Sequence, residues 1–221
     1  MSDTQVRKGR GCFFYGCLTT VVLFIVCALG LYFGARLMLN RMVEKYTVTT
    51  PVPVRQVEGT PEEIKAVQDR FKSFAEAIRA RRPAEPLVLS EKDLNLLINN
   101  TADLAQFRNH LYVAIEGRKL RGTMSLPLDI LRVGFSKLKG RYFNGVAELK
   151  ASLESGVLLV TLDTLEVNGE PLPEQIMAGI RSQNLARDVY KDQRSLELLR
   201  QLETIEVDDG RVLVKPRVTA P

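Results

Sequence analysis

The pattern of apolar and polar positions divides the chain into two regimes. From Gly11 to Ala35 the run GCFFYGCLTTVVLFIVCALGLYFGA carries no charge over 25 residues. At about 1.5 Å per helical residue that is enough to cross a hydrocarbon core of roughly 30 Å. The pattern predicts a short basic tail at residues 1–10, placed in the cytoplasm, and a transmembrane helix over 11–38. Leu37 to Tyr46 is expected to continue the helix. The β-branched, proline-bearing Thr47-Val-Thr-Thr-Pro-Val-Pro-Val54 then predicts an extended spacer that lifts the following domain off the membrane. Residues 39–57 thus read as a juxtamembrane helix end and linker, and 58–221 as one domain.

Beyond the linker the apolar residues become periodic. Thr60-Pro61-Glu62-Glu63 has the form of a capping box with proline at the first helical position. Ile64, Val67, Phe71, Phe74, Ala75 and Ile78 follow at helical spacing, so an amphipathic helix is predicted as far as about Arg82, before Pro83. A core-facing stripe is the ordinary reading of such a face; a helix lying in the membrane surface is the sharper one. Leu87-Val-Leu89 is a short apolar run, and Ser90 caps a second helix from Glu91 to about Asn100 with Leu94, Leu97 and Ile98 on its apolar face.

At His110 the period changes from 3.6 to 2. Leu111, Val113 and Ile115 alternate, then Leu120, Gly122, Met124, Leu126 and Leu128. Phe143, Gly145, Ala147, Leu149, Ala151 and Leu153 follow, and then Leu158, Val160 and Leu162 up to the Asn168-Gly169 turn. Short turns between long strands predict an antiparallel meander, with Arg121, Thr123, Glu148, Lys150, Ser152, Thr161 and Asp163 on its polar face. Pro171-Leu-Pro173 leads into helical sequence from Glu174 to about Gln201, broken near Ser182-Gln-Asn184. Asp208-Asp-Gly210 predicts a closing hairpin. The fold class is therefore α+β: an N-terminal transmembrane helix followed by an antiparallel β-meander packed on amphipathic helices.

A cleaved signal peptide would need a shorter apolar core ending in small residues. Ala28-Leu29-Gly30 offers such a site, but Leu31, Tyr32 and Phe33 prolong the run, so a retained anchor is the preferred reading. Phe24, Ile25 and Val26 are too bulky for a lipoprotein signal at Cys27. Orientation is nearly balanced, with Arg7, Lys8 and Arg10 before the span and Arg36, Arg41 and Lys45 after it. The free α-amine and the ease with which long domains translocate favour a periplasmic or extracellular C-terminal domain. Cys12, Cys17 and Cys27 lie in or beside the span, and no cysteine follows, so the domain holds neither a disulfide nor a thiolate metal site.

The formal charge of +5 invites a nucleic-acid reading, but residues 58–221 hold 24 Lys/Arg and 24 Asp/Glu. The excess belongs to the anchor and its flanks, where it suits anionic headgroups rather than nucleic acid. Motifs for chemistry are lacking. His110 is the only histidine and has no companion ligand; no Gly-x-Ser-x-Gly element or phosphate loop occurs. No cofactor or metal is implied, and the domain reads as non-enzymatic.

One stretch is strongly biased. Arg118, Lys119, Arg121, Arg132, Lys137, Lys139 and Arg141 face a single acid, Asp129, over residues 118–141. They read either as a solvated face or as a surface turned to membrane lipid headgroups.

Leu89-Ser-Glu-Lys-Asp-Leu-Asn-Leu-Leu-Ile98 resembles a helix start, Leu-Ser/Thr-x-x-Asp/Glu-Leu-Asn, found before a β-meander in small single-span envelope proteins of bacteria whose function is unassigned. Leu162-Asp-Thr-Leu-Glu-Val-Asn-Gly-Glu-Pro-Leu-Pro173 is similar to their long strand, glycine and Leu-Pro element. The basic start Lys8-Gly-Arg-Gly-Cys-Phe-Phe-Tyr-Gly-Cys17 is similar to many anchored bacterial proteins. Some such proteins look like relatives of tubular lipid-binding (TULIP-like) domains. The resemblance implies a curved sheet wrapping a helix with an apolar ligand between, and no catalytic residues.

The residues for such a groove are Phe71, Phe74, Leu97, Gly122, Met124, Ala147 and Leu149. The small ones leave room either for an acyl chain or for a closely packed helix. Lipid binding is the leading expectation. A structural component of an envelope complex, with a protein partner, is the alternative.

Overall fold

The computed structural model describes residues 31–34, 36–131, 136–154, 156–191 and 193–217. Among the described residues no helix is long and apolar enough to cross a membrane; the span expected over 11–38 lies for the most part outside them. Residues 36–46 are helical, and Leu37, Met38, Leu39 and Met42 are exposed on that segment. The chain divides into two compact units, residues 1–45 and 46–221.

The second unit is α+β with antiparallel sheets. Helix α1 (Pro61–Arg79) begins with the full capping box: Glu63 N–H donates to Thr60 Oγ1 and Thr60 N–H donates to the Glu63 carboxylate. It stops three residues before the expected end. Arg81 takes a left-handed φ of 51°, letting Arg81 N–H reach Ile78 C=O and Arg82 N–H reach Ala77 C=O. This is a Schellman closure with arginine where glycine is usual. Strand β1 (Leu87–Ser90) and helix α2 (Glu91–Asn100) follow, and Ser90 with Asp93 forms a second capping box. On α2 the core side is rotated from the expected face: Asn95, Leu96 and Leu97 are buried, while Leu94 and Ile98 are half-buried.

The meander consists of β2 (Leu111–Glu116), β3 (Lys119–Pro127), β4 (Tyr142–Glu154) and β5 (Val157–Val167). The Asn168-Gly169 turn, with positive φ at both residues, adds a two-residue β6 (Glu170–Pro171). Helix α3 (Glu174–Arg181), a 3-10 stretch (Leu185–Lys191) and α4 (Gln193–Arg200) occupy the expected broken helical region. The final hairpin, β7 (Leu202–Asp208) and β8 (Arg211–Pro216), pairs with β1 rather than standing alone. A second sheet of order β1-β8-β7 therefore lies beside the five-stranded β2-β3-β4-β5-β6. Two such distant runs, residues 87–90 and 211–216, carry no local mark of their pairing.

All three core clusters lie along one face of the large sheet. Ile115 joins Val67, Leu96, Leu97 and the small sheet; Leu153 joins Ile78, Leu199 and Leu202; Ala147 and Leu162 join Met177 of α3. The opposite face carries the expected polar ladder. Lys119 meets Glu148 at 3.2 Å and Asp163 at 2.5 Å, and Arg121 meets Glu148 at 3.2 Å. Glu148 pairs with Thr164 but Leu149 with Leu162, so Asp163 is the extra residue of a β-bulge.

The proline-bearing segment does not stand free as a spacer. It lies as a strap across the polar face. Val48 forms an antiparallel bridge with Tyr142. Asn144 Nδ2 donates to Thr50 C=O at 3.1 Å, and Val52 N–H donates to Ser125 Oγ at 3.2 Å. Val54 is buried. Pro51 and Pro53 carry no N–H to satisfy, and side chains serve Thr47 C=O, Thr50 C=O, Val52 N–H and Val54 C=O.

Both long edges of the large sheet are closed by side-chain amides. At β2, Val113 N–H donates to Asn95 Oδ1 at 2.8 Å while Asn95 Nδ2 donates to Val113 C=O at 2.7 Å. At β5, Val160 N–H donates to Asn184 Oδ1 at 3.0 Å and Asn184 Nδ2 donates to Leu158 C=O at 2.8 Å. Replacing Asn95 by Ala strands a buried backbone donor and acceptor, and should cost about 3 kcal/mol in denaturant unfolding. Arg81→Gly removes the left-handed strain and should gain about 1 kcal/mol in the same measurement.

Candidate functional site

Strands β3 and β4 build the floor of the site. Their register sets Gly122 opposite Ala147, Met124 opposite Gly145, and Leu126 opposite Phe143. The alternation of the pleat turns all six to the core-side face. The cover of this face is incomplete: Met124, Leu126 and Phe143 toward Pro127 and Tyr142, Leu165 level with Ala147, and Leu149 opposite Leu120 are half-buried. A Cβ placed on Gly122 would meet only Leu111 Cδ1 at 3.7 Å and Ala147 O at 4.0 Å. Gly122 is buried, and one methyl carbon there would make ordinary van der Waals contact with both atoms. Gly145 is different, because the Phe143 ring already fills that position at 2.8 Å.

The seven residues expected to form a groove do not all meet. Gly122, Met124, Ala147 and Leu149 share the floor, and Met124 and Leu149 pack against the cluster of Ala147, Leu162 and Met177. Leu97 lies instead under α1 with Val67. Phe74 is half-buried and touches the first two clusters. Phe71, on the same helical stripe, points to solvent with 47% exposure; the stripe is wider than the core it serves. Met177, Leu172 and Ile180 pack over part of the floor; Met177 and Ile180 lie in the helical sequence expected after Pro173, and Leu172 in the Pro171-Leu-Pro173 lead to it.

The basic stretch is likewise divided. Lys119 and Arg121 lie in the ion-pair ladder, and Arg118 is exposed at the β2–β3 turn beside them. Lys137 and Lys139 are exposed at the opposite end of β3, roughly 27 Å away at 3.3 Å per strand residue. Arg141 lies there too, donating from Nη2 to Thr47 C=O at 2.6 Å. Arg132 lies outside the described residues. One contiguous patch of seven is therefore not present: a strand separates two groups.

The strap reaches the helical layer through Arg55. Arg55 Nη1 donates to Tyr112 Oη at 2.7 Å, the Tyr112 hydroxyl donates to the Glu91 carboxylate, and Ile115 N–H donates to Glu91 at 3.1 Å. The Tyr112 hydroxyl, with help from Ile115 N–H and Arg55, holds Glu91 below the usual carboxylate range. Burial works to raise Asp93, but the Ser90 N–H and hydroxyl and the Arg70 guanidinium outweigh it and lower it. Hydrogen bonding from Lys119 lowers Asp163, and Asp163 with Glu148 raises Lys119. These carboxylates are held ionised by structural partners, and such shifts do not poise a group for proton transfer near neutral pH. No group of three or more histidine, cysteine or acidic side chains suited to a metal occurs among the described residues.

Two clefts lie away from the floor. One of 510 Å³ runs between α1 and β1, lined by Phe74, Ala77, Ala84, Pro86, Leu87 and Val88 among others. The other, of 750 Å³, is polar and includes Gln56, Asn99, Arg108 and Asn109.

Comparison with protein families, with characterised proteins and with solved structures found no match.

The lowered carboxylates define a pH response. A carboxylate whose folded pKa is depressed stabilises the fold above the ordinary range, about 4. That stabilisation is lost as pH falls through the range. The thermal midpoint of the chain should therefore fall on acidification from pH 6 to pH 3 (about 4 lying between them). Glu91→Gln should lower the midpoint at neutral pH and flatten the acid limb; an unchanged acid limb in that variant would count against Glu91 as a contributor.

Proposed function

We propose that this protein is a single-pass, membrane-anchored envelope protein whose exported domain works by binding, not catalysis, and takes a lipid or another apolar ligand on the inner face of the five-stranded sheet. The observation that carries this reading is the incompletely covered floor. A Cβ at Gly122 would make only ordinary contacts, with Leu111 Cδ1 at 3.7 Å and Ala147 O at 4.0 Å, and the neighbouring Met124, Leu126, Phe143 and Leu165 are half-buried on the same face. Apolar side chains left half in water at the centre of a sheet favour an apolar occupant, at about 25 cal/mol per Å² covered. The anchor reading is supported by the uncharged run from Gly11 to Ala35, and by its likeness, with the Leu89–Ile98 motif, to small bacterial envelope proteins.

A specific observation favours a second reading, a structural component that holds a protein partner. Phe71 and Val88 are exposed at 47% and 39%, and the cleft lined by Phe74, Leu87 and Val88 is open among the described residues. That surface would suit a partner's apolar side chain.

The test is crosslinking of the full chain, in membranes, to a phospholipid bearing a photoactivatable acyl chain, with peptide mapping. Labelling within β3 and β4 is expected, and Gly122→Leu, which adds bulk to the floor, should reduce it several-fold. Labelling confined to residues 11–46, unchanged by Gly122→Leu, would overturn the ligand site and leave the partner reading.

A further inference from the structure

We propose that the outer edge of strand β1 takes a short extended segment of a partner protein as a fourth strand of the small sheet, with one apolar side chain of that segment seated in the cleft beside α1. The inference rests on the second reading above, a partner's apolar side chain at this surface, and adds how the partner's backbone is held.

The hydrogen-bond parity of the small sheet leaves this edge open. Asp209 and Gly210 have φ of 46° and 75°, the two-residue turn that makes Asp208 and Arg211 a hydrogen-bonded pair. Alternation along β8 then aims the backbone of Val212 and Val214 at β1, where they meet Leu89 and Leu87. Val88 and Ser90 therefore point their N–H groups away from β8. Ser90 agrees, since its N–H donates to Asp93 Oδ2 at 3.0 Å and its carbonyl stands at the N-cap of α2. Val88 N–H and C=O meet no such partner among the described residues. The amides that close the large sheet have no counterpart here.

The same parity sets the register of what can bind. In an antiparallel segment, the residue opposite Val88 exchanges two hydrogen bonds with it, and the residue two further on donates to Pro86 C=O. Pro86 has no N–H and Ser90 is engaged, so pairing stops there. That suits a short peptide rather than a long strand. The segment's next residue after the one opposite Val88 faces Leu87, and its side chain turns to the core side. There the cleft of 510 Å³ lies open, lined by Phe74, Ala77 and Leu87.

A second copy of this chain does not suit the edge. Twofold pairing about Val88 would set Leu89 of the second copy against Leu87, but Leu89 is already buried in its own core. Charge supplies the partner's chemistry. Ala77 and Ala84 both line the cleft, and the chain between them carries Arg79, Arg81 and Arg82, all exposed and in no ion pair among the described residues. At the other end Arg70 is already paired with Asp93 at 2.8 Å. The segment is thus acidic on the C-terminal side of its apolar residue.

The experiment selects random eight-residue peptides, displayed on phage, against the full chain in detergent micelles. Enriched peptides should share an apolar residue followed within a few positions by Asp or Glu. In a free synthetic peptide, N-methylation of the residue before the apolar one removes the bond to Val88 C=O and should weaken binding about tenfold. N-methylation of the apolar residue itself, whose N–H points away from β1, should change little. Ala77→Leu, which narrows the cleft, should weaken binding several-fold with the thermal midpoint kept. No enriched peptide, or enriched peptides without the acidic residue, would overturn the inference. Equal effects of the two methylations would overturn strand addition, and loss in Ala77→Leu would then keep the partner reading of the cleft. Indifference to both methylations and to Ala77→Leu would remove the two together.

Discussion

A sheet with open edges must hand its backbone polar groups to something, and in this domain side-chain amides take them. An asparagine offers one donor and one acceptor in the spacing of a peptide group, so it can stand in for a missing strand. Asn95 does this for Val113 on β2 and Asn184 for Leu158 and Val160 on β5. Asn144 does it for the strap, through Thr50 and Val52. At those positions the edge cannot recruit another strand, and both functional readings above use a face or a cleft instead.

The strap adds a second constraint. It lies on the face opposite the core and binds at both ends of its course, to Arg141 and Tyr142 at one end and through Arg55 to Tyr112 at the other. Tyr112 in turn is hydrogen-bonded to Glu91 of α2. A segment expected to hold the domain at a distance instead fixes which corner the chain enters.

Much of this was legible where local chemistry decides. Both capping boxes, the strand alternation, the Asn168-Gly169 turn and the break at Ser182-Gln-Asn184 follow from nearest neighbours. The register bulge at Glu148 and the pairing of β1 with β8 do not, because long-range pairing has no local pattern. Asn95 is the instructive case. It stands last in the Leu-Ser-x-x-Asp-Leu-Asn run, yet periodicity assigned the face to Leu94, Leu97 and Ile98, of which only Leu97 is fully buried. A polar residue there looks like surface, and only the edge strand beside it makes burial favourable. Phe71 fails in the opposite sense, since an apolar residue on a stripe is not obliged to find cover.

The apolar floor has a thermodynamic consequence for the lipid reading. An acyl chain gains about 0.8 kcal/mol per methylene on leaving water, but a chain in the bilayer has already gained it. Transfer from membrane to floor is then close to balanced, apart from the half-exposed Met124, Leu126 and Phe143, which gain cover. Such a site would exchange lipid with its own membrane rather than extract it. Any preference among lipids must then come from polar groups beside the floor, because the apolar contacts distinguish one acyl chain from another only by its length and shape.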